Sequence, residues 1–191
     1  KKKGEVIEQI TPDLCVQPRE LISTGDVRPL EFHFQDGWVE HAKKGNISSN
    51  FSLLSQEKRE SWRARNLRRA INISDSSSIA VQLLIRARDK LEVVRKTHKN
   101  AAGLVIAKDI QHAHTISHFL QEDGYKVELV HSQDKGASSR LNNFQNTDVQ
   151  WLVNVDMCSE GFDAPRLRIV AYLTNVVTRS RFIQGVTRAI R

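Results

Sequence analysis

The sequence predicts an α/β fold, a parallel β-sheet with helices on both faces, preceded by an irregular connector and basic helices. Three observations predict it. From about residue 100, four short and nearly uninterrupted apolar runs, AGLVIA, YKVELV, WLVNV and LRIVAYL, alternate with segments at helical spacing. Strands buried on both faces read as continuous apolar runs, and strand–helix alternation is the pattern of parallel sheets with crossover helices. Three of the 4 prolines fall within residues 1–50, which marks that stretch as a connector with little core of its own.

The elements follow in chain order. Residues 1–50 hold one candidate strand, LEFHF (Leu30 to Phe34). Residues 51–71 form a basic helical segment around SQEKRESWRARNLRRAI. The main domain spans 72–191 and opens with SSSIAVQLLIRARDKLEVV, an amphipathic helix with Ile79, Leu83, Leu84, Ala87, Leu91 and Val94 on one side. AGLVIA is the first buried strand. In DIQHAHTISHFLQEDG, Ile110, Ala113, Ile116 or Ser117, and Leu120 share a face, with Asp109 placed to cap and Gly124 to terminate. YKVELV is a second strand, SSRLNNFQ a short helix with Leu141 and Phe144 inward, and WLVNV and LRIVAYL the third and fourth strands. Trp151 opens a buried strand and is expected in the core. The last segment, TRSRFIQGVTRAIR, returns to helical spacing through Phe182, Ile183, Val186 and Ile190.

Composition excludes several classes. No apolar run approaches the roughly 20 residues that cross a bilayer, and the basic start KKKGEVIEQI lacks a signal peptide's apolar stretch. A soluble, cytoplasmic protein without a membrane partner is expected. Cys15 and Cys158 belong to no CxxC pair, so two reduced thiols are expected, with neither a disulfide nor a zinc site. His114 and His118 stand at i and i+4 but lack a third ligand, so no metal site is predicted.

The net charge is +7. Residues 51–100 carry 12 Lys and Arg against 5 Asp and Glu, while the flanks nearly balance. Such a stripe fits a surface that follows phosphates, or equally the solvated faces of two amphipathic helices. Within it, Trp62 is set among Arg59, Arg63 and Arg65, the mixture of aromatic and basic groups used on single strands, and Arg63, Arg65, Arg68 and Arg69 are the candidate nucleic-acid contacts.

Ligands of such sheets bind at the carboxyl ends of the strands. After WLVNV comes DMCSEGFDAPRL, in which Ser159, Glu160 and Gly161 form a tight polar turn and Asp163 presents a carboxylate before Pro165. The simpler alternative is a capping Asp163 and a solvated Glu160. Arg188 and Arg191, three apart on a helix, offer two planar forked donors suited to a multiply charged phosphate. The alternative there is a basic helix end offsetting the helix dipole.

GLVIAKDI, WLVNVDMCSEGFDAPRLRIVAYL and FIQGVTRAIR stand in the order of motifs IV, V and VI of the superfamily 2 helicases and translocases. Residues from about 72 to 191 resemble the second RecA-like lobe of that motor. The SEGxD and approximate QxxGRxxR patterns are most similar to DNA repair and restriction-type motors. RELISTGDVRPL (Arg19 to Leu30) is similar to the connector leaving the first lobe.

The resemblance implies that Arg188 and Arg191 are arginine fingers reaching the γ-phosphate of ATP, with ATP and Mg held mainly by the first lobe. It implies that Gln184 faces the interlobe cleft, that Asp163 meets the ribose, and that Glu160 and Gly161 shape the turn beside the nucleotide. Lys108, Asp109, His131 and Ser132 would lie along the nucleic-acid backbone, DNA in preference to RNA. Two departures stand out, Thr187 where motif VI usually has glycine and Val155 where many relatives have threonine.

No GxxxxGK[ST] loop and no DEAD-like box is present, so a piece cut off after motif VI and inactive alone is expected. If the source is bacterial, the protein would sit with the nucleoid. Two alternatives remain open, a motor subunit of a type I or III restriction enzyme and a non-catalytic RecA-like module that binds nucleic acid or protein.

Overall fold

The computed structural model describes residues 18–42, 49–56, 58, 60–74, 77–155, 164–176 and 178–189. In chain order the elements are α1 (Pro18–Ser23), β1 (Trp38–Ala42), β2 (Ser49–Leu53), α2 (Glu60–Ala70), α3 (Ile79–Thr97), β3 (Ala102–Ala107), α4 (Ile110–Glu122), β4 (Val127–His131), α5 (Ala137–Asn143), β5 (Trp151–Val155), β6 (Leu167–Leu173) and α6 (Arg179–Val186). Strands β3 to β6 form one sheet in the order β4-β5-β3-β6, with every neighbouring pair parallel. The α/β class and parallel sheet read from the apolar runs are therefore present. No helix among the described residues is long and apolar enough to cross a membrane.

The alternation of side chains along β3 divides the core in two. Val105 and Ala107 face Leu84 and Leu91 of α3 and Ala113, Ile116 and Leu120 of α4. Ala102 and Leu104 face Ala137 and Leu141 of α5 and the following Phe144. Trp151 is fully buried, and its indole lies where a Cβ on Gly103 would have to go. Glycine at the middle strand is what lets a tryptophan start the neighbouring one.

Local signals explain the ends of the helices around the sheet. The Ser78 hydroxyl accepts from the Val81 N–H at the start of α3. Asp109 accepts from the His112 N–H at 2.7 Å and caps α4, while Gly124 turns the chain at φ +86° beyond its end. At the amino end of the sheet, Arg166 is 8% exposed and gathers carbonyls from four places. Nε donates to Asn100 O at 3.1 Å, Nη1 to Phe144 O at 2.8 Å and Thr147 O at 2.5 Å, and Nη2 to Val149 O at 2.5 Å. Its guanidinium also lies 4.6 Å over the Phe144 ring.

Two expectations are corrected. LEFHF forms no strand. Its rings stack instead of pairing in a ladder, with Phe32 lying 6.4 Å from Phe34 and 6.2 Å from Phe182 of α6. The connector is also less irregular than its proline content predicts, because β1, within it, pairs with β2, at its end, as an antiparallel hairpin. Ile183, one of the residues at helical spacing in α6, is 44% exposed. The buried position of α6 is Gly185, where a Cβ would collide with Ile106 and approach Tyr172.

Candidate functional site

Parallel pairing gathers all four strand ends on one side of the sheet. There β3 leads into Lys108 and Asp109, β4 into His131 and Ser132, and β5 into the residues after Val155. Helix α6 reaches the same side, since Gly185 packs on Ile106 and Tyr172, each next to last in its strand.

Lys108 is tied down rather than free. Its Nζ donates to Asn72 Oδ1 at 2.5 Å and lies 3.8 Å from Asp109 Oδ2. The other oxygen of Asp109 is the α4 cap, so this carboxylate orients the turn at the strand end. Asn72 and Ile71 follow the basic helix α2, and the Lys108 contact therefore holds the end of α2 against the turn after β3. Arg63, Arg65, Arg68 and Arg69 are all exposed on α2, and Trp62 is half-buried.

His112 was not among the inward residues read from the sequence, yet it is 5% exposed. Its Nδ1 faces the Lys108 backbone N–H at 3.4 Å, which places the proton of the neutral ring on Nε2. Burial, with the Lys108 ammonium adding to it, holds the imidazole pKa below its usual value, while Asp109 and the Ile71 carbonyl oppose the shift. Nε2 makes no full hydrogen bond among the described residues.

A pH dependence follows. Below about pH 6.5 the unfolded chain takes up a proton at His112 that the folded chain resists, so this stability is complete above that pH and lost as the pH falls. The urea midpoint of the native chain is expected to drop more steeply between pH 7 and 5 than that of His112→Gln. The difference is at most one proton, about 1.4 kcal/mol per pH unit. Parallel pH profiles would remove His112 as the cause.

His131 is half-buried with Nδ1 unpartnered among the described residues, and its ring centre lies 6.5 Å from that of His114. His118 Nδ1 lies 3.4 Å from Glu122 on its own helix. Ser132 is exposed.

At the end of α6 the α-helix tightens into a 3-10 turn, Thr187–Ala189. The Thr187 hydroxyl donates to the Gln184 carbonyl at 3.1 Å at the point of this change. The β-branched residue in place of glycine is thus accommodated by a tighter turn. Gln184 is exposed and Arg188 half-buried within that turn. Phe182 meets the Tyr172 ring edge-on at 5.3 Å, which fixes α6 on β6. Glu160, Gly161, Asp163 and Arg191, together with Cys15 and Cys158, lie outside the described residues.

Residues 82–191 match the family model described as the helicase conserved C-terminal domain. The chain belongs to this family. An uncharacterized protein of Mycobacterium leprae is 32% identical to it over 176 residues, 90% of this chain and 28% of that protein. An uncharacterized protein of Mycobacterium tuberculosis is 32% identical over 177 residues, with the same coverage. The helicase domain chain thus spans about 28% of the length of the curated relatives it matches. Among solved structures, the Pyrococcus furiosus Hef helicase domain is similar at 23% identity and a TM-score of 0.41, over 57% of this chain and 26% of that one.

Within this helicase C-terminal domain, the structure brings Lys108, Asp109, His131, Ser132 and the α6 end to one side of the sheet. Sequence reasoning missed His112 and Asn72, which hold that side together. The available signal was a polar residue three places after the Asp109 cap, since such a residue stands over the turn that the cap closes.

Proposed function

We propose that this helicase C-terminal domain is the second RecA-like lobe of an ATP-dependent nucleic-acid motor of superfamily 2, acting on DNA in preference to RNA. The observation that supports it is the gathering of the α6 end, the turn after β3 and the carboxyl end of β5 on one side of the parallel sheet. ATP would bind between this lobe and a first lobe. Arg188 and Arg191 would neutralise the charge that builds on the γ-phosphoryl oxygens as water displaces ADP, with no covalent intermediate. Gln184 would face the cleft, Asp163 the ribose, and Glu160 and Gly161 the turn between them.

Nucleic acid would run past Lys108, His131 and Ser132, with Asp109 orienting Lys108. The exposed arginines of α2, joined to this turn through Asn72, would extend the track. Among the described residues no three His, Cys, Asp or Glu side chains come together as a metal site, and Mg2+, with ATP, would be held mainly by the first lobe.

The test is nucleic-acid-stimulated ATP turnover and strand displacement by the protein that carries both lobes, with single- and double-stranded DNA and RNA compared. Reversing the charge of Arg63, Arg65, Arg68 and Arg69 is expected to weaken binding and flatten its salt dependence, by about 0.7 to 0.9 in log–log slope for each lost phosphate contact. An unchanged slope would assign these arginines to solvation alone. Turnover unaffected by any nucleic acid would reject the motor.

A further inference from the structure

We propose that the amino-terminal end of the sheet carries a second site, a cleft that binds a phosphate-bearing anion on the side opposite the candidate nucleotide site. The cleft has a volume of about 260 Å3 and is lined by His98, Lys99, Asn100, Ala101, Arg166 and Arg168. Residue rise along β3 puts it about 20 Å from Lys108.

A backbone irregularity makes the site. Ala102 pairs with Leu167 and Gly103 with Ile169, so Arg168 is the extra residue of a bulge. Bulges re-aim a side chain out of the regular in–out alternation, and here Arg168 lines the cleft. Arg168 and Lys99 have no hydrogen-bond or ion-pair partner among the described residues. Beneath them Arg166 is locked by its four carbonyls, a fixed cation satisfied by dipoles and by no carboxylate.

More positive charge converges from both flanks. Arg95 donates to Ala101 O at 2.6 Å, and Arg28 donates to Pro165 O at 2.9 Å and Leu167 O at 3.3 Å. Burial first, then the neighbouring cation, disfavours the charge of Arg28 beside Arg168 and of Arg166 beside Arg95. Asp148, the acid whose charge reaches Arg166, is already paired with Lys126. The carboxyl end of α3 accounts for Arg95 and Lys96 as dipole partners. It does not account for Arg168, which comes from the sheet.

Forked guanidinium and ammonium donors around a small cleft select phosphate oxygens over a single carboxylate. Free polyphosphates and the backbone of a nucleic acid share that chemistry. The experiment titrates the 191-residue chain with pyrophosphate, and separately with a single-stranded oligonucleotide, against Arg168→Ala/Lys99→Ala. Cooperative unfolding of the variant is checked first, and the α2 charge-reversal variant serves as the second comparison.

Pyrophosphate affinity is expected to fall at least roughly ten-fold in the cleft variant, the loss of one or two charge-assisted contacts, and to be unchanged in the α2 variant. A parallel fall in oligonucleotide affinity identifies the ligand as a nucleic-acid backbone, and a fall confined to pyrophosphate identifies a free polyphosphate. Equal pyrophosphate affinity in the native chain and the cleft variant, or no binding by the native chain, overturns the proposal.

Discussion

Arg188→Ala in the two-lobed protein is expected to lower nucleic-acid-stimulated ATP turnover by a factor on the order of 10³. The effect should fall on kcat with the KM for ATP little changed, because a finger that meets charge growing in the transition state contributes little to ground-state binding. Arg188 stands in the 3-10 turn after α6, half-buried and outside both core clusters, so its removal should leave the fold intact. Arg188→Lys should recover only part of the rate, since an ammonium keeps the charge but not the fork. Gly185→Ala offers a geometric control. A Cβ there would stand 2.6 Å from the Ile106 Cδ1, so that side chain or α6 must shift, and turnover should drop as far as α6 moves although no donor has been lost. Near-normal turnover in Arg188→Ala would reject the finger assignment.

What the sequence made legible, and what it hid, has a physical pattern. AGLVIA and WLVNV announced themselves because strands covered on both faces leave no polar position to blur the run. Asp109 and Gly124 marked α4 because caps act within a few residues of the chain. The hidden features depend on distant partners. LEFHF has a strand's composition, but the ring of Phe182, far along the chain, takes the place of a neighbouring strand. Ile183 stands at helical spacing with Phe182 and Val186, but α6 meets β3 at Gly185, and Ile183 is left outward.

The candidate site divides in the same way. Strand ends located the turns at Lys108 and His131, and periodicity could not show that His112 would be buried against Lys108. The individual roles of Arg188 and Asp163 came from resemblance to motifs, since two arginines on a helix end are equally consistent with dipole compensation.

Arg166→Met is expected to destabilise the chain by about 3–5 kcal/mol, since several carbonyls lose a charged donor and each buried acceptor left unsatisfied costs about 1–3 kcal/mol. Methionine keeps the unbranched stem out to about the Nε position but loses the guanidinium, and with it every donor and the contact over Phe144. The carbonyls of Asn100, Phe144, Thr147 and Val149 would then lose the group that joins them. Asn100 precedes β3, the other three lie on the segment from α5 into β5, and Arg166 itself precedes β6, so the guanidinium fastens three strand entries at the amino end of the sheet. Burial already works against its charge, with Arg95 adding to the cost, so the carbonyl bonds and the Phe144 contact must outweigh that cost in the native state. Arg166→Lys tests which property matters. A single ammonium cannot span carbonyls that converge from different directions, so lysine should restore the charge and recover little stability. The urea midpoint measures both variants, and a loss of that size would be a large share of an ordinary domain's 5–15 kcal/mol. If Arg166→Met unfolds within about 0.5 kcal/mol of the native chain, a surface-like value, the clamp adds no net stability. The anion cleft above it would then rest on a cation that the fold does not need.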